Sequence, residues 1–343
     1  MKKIRLFIII SFCSLLLINA NKRAANPLPV ASADSQLAQT LERLGDTPLP
    51  HRPNFNLPGV SAERGRELVL TGITTKPGGG KTNKQSKNFV CTACHNIERE
   101  DPDLRVSDPQ ARLQYVQAKG LPFVQGSPLH GVVNRTAFYN GFYEQKYGKL
   151  VEPARNNLRE AIQLCATQCS QGRRYENWEL ESVLAYLWTI DLKLGDLNLN
   201  SMDYDLINNA LQNKNESQAA ISLLQSKYQK ASPATFVYPP DDRRGGYTQT
   251  GDPANGKLIY ELSCLHCHED GRFAFFRLDR SKQSFEYLQK HIPRYTRYSL
   301  YQVSRWGTSP VPGKHTYMPN YTAERLSNQQ VEDLRAYIVQ SAR

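Results

Sequence analysis

The pattern C-x-x-C-H occurs twice in this chain and constrains it more than any other feature. The copies lie in two related segments, FVCTACHN (89–96) and LSCLHCHE (262–269). A second pair of related segments follows in the same order, WELESVLAYLWTI (178–190) and QVEDLRAYIVQSA (330–342), with Ala-Tyr matched in both. The chain therefore contains a diverged internal repeat, in which the motif is followed at a distance by an amphipathic helix.

Each motif places two thiols about one helical turn apart, directly before a histidine. This is the attachment signature of c-type haem, in which both thiols form thioethers and the histidine is the proximal iron ligand. A redox disulfide or half of a zinc site is the alternative, but a histidine after the second cysteine in both copies favours haem. We expect two covalently bound c-type haems, held by Cys91, Cys94 and His95 and by Cys264, Cys267 and His268.

The N-terminus has the features of a targeting segment. A basic start, MKKIR, precedes the apolar run Leu6–Ile18, and Ala20 offers a small residue for cleavage. The apolar run is too short to span a hydrocarbon core of roughly 30 Å. We predict a secretory signal peptide over residues 1–20, with an uncleaved anchor as the alternative. The expected location is periplasmic, with membrane association left open.

The formal net charge of +11 bears on partners rather than on fold. It is compatible with an anionic lipid surface, an acidic redox protein or a small anionic substrate. Export argues against nucleic acid. We expect a soluble or membrane-bound redox protein as the electron acceptor.

The composition divides the chain into four segments after the signal peptide. Residues 21–58 form an extension with one short helical pattern, SQLAQTLERLG, and residues 59–196 form the first domain. A polar linker with one helical pattern, QAAISLLQSKYQ, covers 197–250, and the second domain covers 251–343. The fold class is mainly α.

Both halves resemble class I cytochrome c, over roughly 60–190 and 251–343. The shared order is an N-terminal helix, C-x-x-C-H, a distal ligand and a C-terminal helix that carries an aromatic residue. The resemblance implies two tandem class I cytochrome c domains, each with a covalently attached haem. It also implies that Gly256 and Tyr260 lie where the first helix of the second domain crosses the last, in contact with Tyr337.

The second distal ligand follows from this resemblance and from elimination. The chain has three methionines; the initiator is removed and Met202 lies in the linker. Met318 precedes a proline and lies 19 residues before Tyr337, as cytochrome c presents its methionine. We predict Met318 as the sixth ligand of the second haem, with His291 and His315 as the alternatives.

The first domain has no methionine, but AIQLCATQCSQGR (161–173) occupies the corresponding place. Cys165 lies 21 residues and Cys169 17 residues before Tyr186. Three interpretations are open. Cys165 is the iron ligand beside a Cys169 thiol, which we favour; or the two form a disulfide and the haem is five-coordinate or uses His130; or Cys169 is the ligand.

This segment also resembles that of di-haem thiosulfate dehydrogenases, whose distal cysteine lies in I-N-x-C-x-x-x-S-x-N-G-K before a helix ending in A-Y-L. Ile162, Cys165, Gly172-Arg173 and Ala185-Tyr186-Leu187 match that pattern. The family's two flanking arginines are replaced by Ala161 and Gln168. The resemblance implies that two thiosulfates couple to tetrathionate, with Cys165 catalytic. Arg159 and Arg173 are the nearby candidates to hold the anion.

A thiolate ligand lowers and a methionine ligand raises the potential of haem iron, so electrons would run downhill from the first site to the second. We therefore expect an exported di-haem electron-transfer protein that acts as an oxidoreductase on a small anionic sulfur substrate. The alternative is a non-catalytic periplasmic electron-transfer cytochrome, or a respiratory-complex subunit, in which a Cys165–Cys169 disulfide is structural.

Overall fold

The computed structural model describes residues 30–309 and 317–343. The predicted signal peptide and the candidate ligand His315 lie outside the described residues. The described chain is mainly helical, as predicted, and instead of a β-sheet it has only isolated bridges such as Thr75 with Lys81.

Thirteen α-helices account for most of the described architecture. In chain order they are α1 (Leu37–Leu44), α2 (Ala62–Thr71), α3 (Pro109–Lys119), α4 (Gly141–Tyr147), α5 (Leu158–Leu164), α6 (Asn177–Thr189), α7 (Ser201–Gln212), α8 (Ser217–Ser226), α9 (Pro253–Ile259), α10 (Leu265–His268), α11 (Lys282–His291), α12 (Leu300–Trp306) and α13 (Asn328–Ser341).

Two helix crossings, α2 with α6 and α9 with α13, are built in the same way. A Cβ added at Gly65 would lie 1.8 Å from the carbonyl oxygen of Ser182, and one at Gly256 would lie 2.0 Å from that of Asp333. When Ala-Tyr of α6 is aligned with Ala-Tyr of α13, Ser182 and Asp333 occupy the same position. Only glycine allows such a close backbone approach. The predicted place of Gly256 at a crossing of two helices is confirmed. The internal repeat of the sequence is also a repeat in the way these helices pack.

Aromatic side chains complete the second crossing. The ring of Tyr260, which is fully buried, lies 5.7 Å from that of Tyr337 and 5.1 Å from that of Phe285, between centroids. These separations lie in the favourable range for aromatic pairs. The predicted contact between Tyr260 and Tyr337 is therefore confirmed. In the first crossing, Tyr186 packs over Gly65.

Both late helices, α6 and α13, begin with a capping box. The pairs are Glu176 with Glu179 and Ser327 with Gln330, each exchanging side-chain and backbone hydrogen bonds. A capping box satisfies two amide groups that a helix N-terminus otherwise leaves without partners. These residues fix where each helix starts, about ten residues after the candidate distal ligands Cys165 and Met318.

The extension and the linker share a core of their own. Helices α1, α7 and α8 bury a cluster that includes Leu37, Leu41, Ile207 and Leu224. The sequence predicted α1 and α8 but missed α7, because the polar start SMDYD hides the apolar face that follows it. Residues 201–226 are thus a packed helical pair.

Candidate functional site

The first C-x-x-C-H motif is a short turn that presents its histidine to a loop. Residues Cys91–Ala93 form a 3₁₀ turn, and the amide of His95 donates to the Cys91 carbonyl at 3.0 Å. The ring Nδ1 of His95 lies 2.6 Å from the carbonyl oxygen of Ser127. A Cβ at Gly126 would lie 2.4 Å from this ring, so the missing side chain lets the loop pass against the imidazole.

The second motif holds its histidine by the same device. Here Nδ1 of His268 lies 2.6 Å from the carbonyl oxygen of Phe276. Within the described residues neither His95 nor His268 has a hydrogen-bond partner at Nε2. A histidine that donates from one ring nitrogen to a carbonyl presents the other as a metal ligand. In both motifs the Nε2 atom of the imidazole is therefore left available as a metal ligand.

A cavity lies against the second motif, with a volume of about 750 Å³ that includes the space at its open side. Cys264, Cys267, His268 and Met318 all line it, so the structure brings together the residues that the sequence predicted for this site. The other lining side chains are mainly aromatic, among them Phe273, Phe275, Phe276 and Tyr298. Two thiols, an imidazole and a thioether around an apolar space fit a covalent haem.

The backbone of Met318 is clamped by a neighbouring loop. Its amide donates to Oγ1 of Thr308 at 2.8 Å, and its carbonyl accepts from the Thr308 amide at 2.8 Å. Gly307 has φ near +71° and a Cβ there would lie 2.5 Å from the Met318 oxygen, so glycine is required. By contrast Met202 is 74% exposed, and His291 bonds Oγ1 of Thr296.

The thiol pair Cys165 and Cys169 lies on an unusual turn. Helix α5 continues into a π-helical turn, Cys165–Cys169, closed by a 2.8 Å bond from the Ser170 amide to the Cys165 carbonyl. Both thiols are free, so no disulfide joins them in this structure. A hydrogen bond between the two thiols raises the pKa of Cys165 and lowers that of Cys169. The hydroxyls of Tyr139 and Tyr317 also bond Cys169.

The same pair lies close to the first motif. The thiols of Cys91 and Cys94 contribute to the raised pKa of Cys165. Burial raises the pKa of Cys91 to about 11, and the Tyr175 hydroxyl bonds its sulfur. Leu164 and Ala166, which flank Cys165, pack in the same apolar cluster as Cys91, so this turn and the first motif belong to one core.

The two candidate anion-holding arginines are engaged elsewhere. Nε of Arg159 lies 2.6 Å from Glu181, and Nη1 of Arg173 lies 2.6 Å from Glu179, which is fully buried. Buried carboxylates at the start of α6 need these charges, since an unpaired buried charge is costly. The sequence predicts that both arginines hold an anion beside Cys165, whereas in the structure they pair with carboxylates. The feature of the sequence that could have indicated this pairing is the acidic residues near the start of α6.

The alternative ligand His130 is also held by a carboxylate. Its Nε2 lies 3.1 Å from Oδ2 of Asp196, and both residues are partly buried. This hydrogen bond engages one of the two ring nitrogens of His130.

The two motifs touch each other, which sequence reasoning missed. The sulfur of Cys267 lies 4.0 Å from the carbonyl oxygen of Ala93, across 174 residues of chain. The ring of His266 lies against the backbone of Thr92 and Ala93, and Cys94 lines the cavity of the second motif. The two candidate haem sites are neighbours.

Comparisons with protein families, curated proteins and solved structures give no match to this chain. Within residues 30–309 and 317–343, no three His, Cys, Asp or Glu side chains converge to hold a bare metal ion. None of the helices described above is long and apolar enough to cross a bilayer.

Proposed function

We propose that this chain is an exported electron-transfer protein with two covalently attached c-type haems, in two tandem class I cytochrome c domains. The observation that carries the proposal is the repeated histidine geometry: in both motifs Nδ1 lies 2.6 Å from a backbone carbonyl. The matching crossings of α2 with α6 and of α9 with α13 support the tandem arrangement. When bound, each haem supplies a one-electron couple.

Separate sets of residues would hold the two haems. Cys91, Cys94, Cys264 and Cys267 provide the sulfurs for the thioether bonds, inside apolar surroundings that keep them protonated until they react. The carbonyls of Ser127 and Phe276 fix the proximal rings. Met318 would bind the iron of the second haem, and Cys165 would bind that of the first.

We further propose that the first site oxidises a small anionic sulfur compound, in the manner of thiosulfate dehydrogenases. The support is the resemblance of residues 162–187 and the position of Cys165 beside the first motif. The pKa of Cys165 is raised in the protein alone, and an iron bound to its sulfur would favour the thiolate, which is the form that is nucleophilic toward sulfur. The contact between the motifs favours rapid passage of electrons to the second site, and a soluble or membrane-bound redox protein would receive them.

The second candidate is a pure electron carrier, periplasmic and without a substrate site. The observation that favours it is that the two arginines expected to hold an anion, Arg159 and Arg173, are engaged by Glu181 and Glu179. The free thiols at Cys165 and Cys169 count against its structural disulfide.

One set of measurements separates the candidates. The purified holoprotein is mixed with thiosulfate, and haem reduction is followed by absorbance, with dithionite as the positive control. Reduction by thiosulfate in the wild type, lost in Cys165→Ala but kept in Cys169→Ala, supports the enzyme. Reduction by dithionite alone supports the carrier. A low-spin histidine–thiolate EPR signal that survives Cys165→Ala would contradict Cys165 as the ligand.

A further inference from the structure

We propose that a second cavity, next to the loop that holds His95, binds a small oxyanion that carries a proton, namely hydrogen phosphate. The cavity has a volume of about 480 Å³, which includes the space at its open side. Pro128 lines it and directly follows Ser127, whose carbonyl oxygen lies against the ring of His95. Cys165 is not among the residues that line this cavity. The site is therefore distinct from the one proposed for sulfur oxidation, and it goes beyond the proposed electron transfer.

Two arginines line this cavity without a carboxylate partner. Arg99 donates to the backbone carbonyls of Asp101 at 2.8 Å and of Pro102 at 2.5 Å, and Arg135 donates to Oγ of Ser232 at 3.1 Å. Among the described residues no carboxylate lies within ion-pair distance of either guanidinium. Burial lowers the pKa of Arg135 to about 10, so its charge is partly desolvated. Because a desolvated charge without a counter-ion is costly, a bound anion would stabilise this wall.

The two guanidinium groups keep donors for a ligand. In the described part of the chain, Nη1 of Arg99 and both Nε and Nη2 of Arg135 have no hydrogen-bond partner. Guanidinium groups present several N–H donors in one plane, which suits the oxygens of phosphate. The remaining basic group of the wall, His130, already has its Nε2 3.1 Å from Oδ2 of Asp196. The two arginines are therefore the groups expected to hold the anion.

An acidic side chain on the same wall selects the kind of oxyanion. Glu100 accepts from the Asn96 amide at 2.7 Å and is paired with Arg325, whereas Asp101 has no cation within ion-pair distance among the described residues. Burial raises the pKa of Asp101, yet without a bound proton its carboxylate can only accept hydrogen bonds. Near neutral pH inorganic phosphate carries at least one proton, whereas sulfate carries none. Phosphate can donate to Asp101, but sulfate is repelled until Asp101 takes up a proton.

Calorimetric titration of the purified holoprotein tests the site, with inorganic phosphate and sulfate titrated separately in a chloride buffer. We expect a single phosphate per chain, and sulfate binding that is weaker by about tenfold or more, because sulfate leaves the Asp101 carboxylate without a donor. Asp101→Asn supplies an N–H donor in place of the carboxylate. This variant should therefore lose the preference for phosphate over sulfate.

The two arginines are tested by removing one charge at a time. Arg99→Gln and Arg135→Gln should each weaken phosphate binding by about tenfold or more, as expected for the loss of a hydrogen bond between charged groups. Arg280→Gln is the matched control, because it removes the same charge from an exposed pair with Glu269. Phosphate binding by this control should equal that of the wild type.

Three results would overturn the proposal: no phosphate binding by the wild type, equal binding of sulfate and phosphate, or unchanged phosphate binding in both arginine variants. Thermal unfolding shows whether each variant is folded, and the comparison of phosphate with sulfate in the wild type needs no variant. None of these titrations depends on haem. Absent haem absorbance would contradict the proposed function and leave the result on phosphate standing.

Discussion

The sulfur of Cys267 lies 4.0 Å from the carbonyl oxygen of Ala93, which joins two C-x-x-C-H motifs that are 174 residues apart in sequence. Ala93 is fully buried, and the ring of His266 covers the same backbone. The two attachment segments thus share one interface. Groups attached there would be separated by little more than the motifs themselves.

We therefore expect Ala93→Leu to slow electron transfer between the two sites. The larger side chain has no space between the motifs and must push them apart, at a cost of about 1–3 kcal/mol in stability. Flash reduction followed by absorbance measures the inter-site rate. Ala219→Leu is the control, since Ala219 is exposed on α8. An unchanged rate in a folded Ala93→Leu protein would show that the electrons take another path.

Replacing Met318 should lower the potential of the second site only. Met318→Ala removes the thioether from the cavity that also holds Cys264, Cys267 and His268, and a methionine ligand raises the potential of haem iron. Potentiometric titration of both sites measures the change. Met202→Ala is the matched control, because Met202 is 74% exposed. If Met318→Ala kept both wild-type potentials, the ligand at the second site would have to be another residue.

The motifs and their immediate surroundings could be predicted from the sequence, but the contacts between segments that are distant in sequence could not. The two motifs follow from residue types at short, fixed spacing, whereas the helix crossing at Gly256 and the place of Met318 were expected from the resemblance to class I cytochrome c. The contact of Ala93 with Cys267 depends on how distant segments pack, which no spacing encodes. The π turn at Cys165 has no sequence signature either, because it differs from an α-helix by a single residue in one turn.

The partners of the arginines near Cys165 also depend on tertiary packing and could not be predicted from the sequence. Arg159 and Arg173 were predicted to hold an anion because they are close in sequence. The structure pairs them with Glu181 and Glu179, since those carboxylates are buried when α6 packs against α2. Burial of a charge is decided by tertiary packing, and its partner is then whichever cation can reach it.

A buried charge cluster links the two halves of the repeat and should be important for stability. Glu100 is fully buried, is paired with Arg325, and lies 3.8 Å from Nη1 of Arg112. Arg325→Met should cost about 3–5 kcal/mol, because it leaves a buried carboxylate whose remaining partners are the neutral amide of Asn96 and the distant cation of Arg112. Urea unfolding measures the free energy change.

The double variant Arg325→Met/Glu100→Gln tests the cause of that loss. Removing the carboxylate should recover part of the stability, since the uncompensated charge is gone. Arg280→Ala is the control, because its pair with Glu269 is exposed and worth under about 1 kcal/mol. A double variant no more stable than Arg325→Met would assign the loss to packing instead.

Asp191 should make stability fall as the pH rises from about 4 to about 6. Burial raises the pKa of Asp191 to about 6, although Asn134 donates a hydrogen bond to Oδ1. Between the unfolded and folded pKa values the folded state holds a proton that the unfolded state has lost, so the folded state is favoured at the acidic end. Asp191→Asn should remove this slope, on the order of 2 kcal/mol. Urea midpoints at pH 4 and pH 7 measure it, with exposed Asp205→Asn as the control.

The two glycines at the helix crossings should be equally intolerant of a methyl group. An added Cβ would lie 1.8 Å from a carbonyl oxygen at Gly65 and 2.0 Å at Gly256, so each alanine variant must separate two helices. We expect a loss of about 1–3 kcal/mol or more in each case, measured by thermal unfolding of the holoprotein. Gly78→Ala is the matched control, since a Cβ there meets nothing within 4 Å. If Gly65→Ala and Gly256→Ala unfold at the same temperature as Gly78→Ala, the close approach of α2 to α6 and of α9 to α13 is wrong.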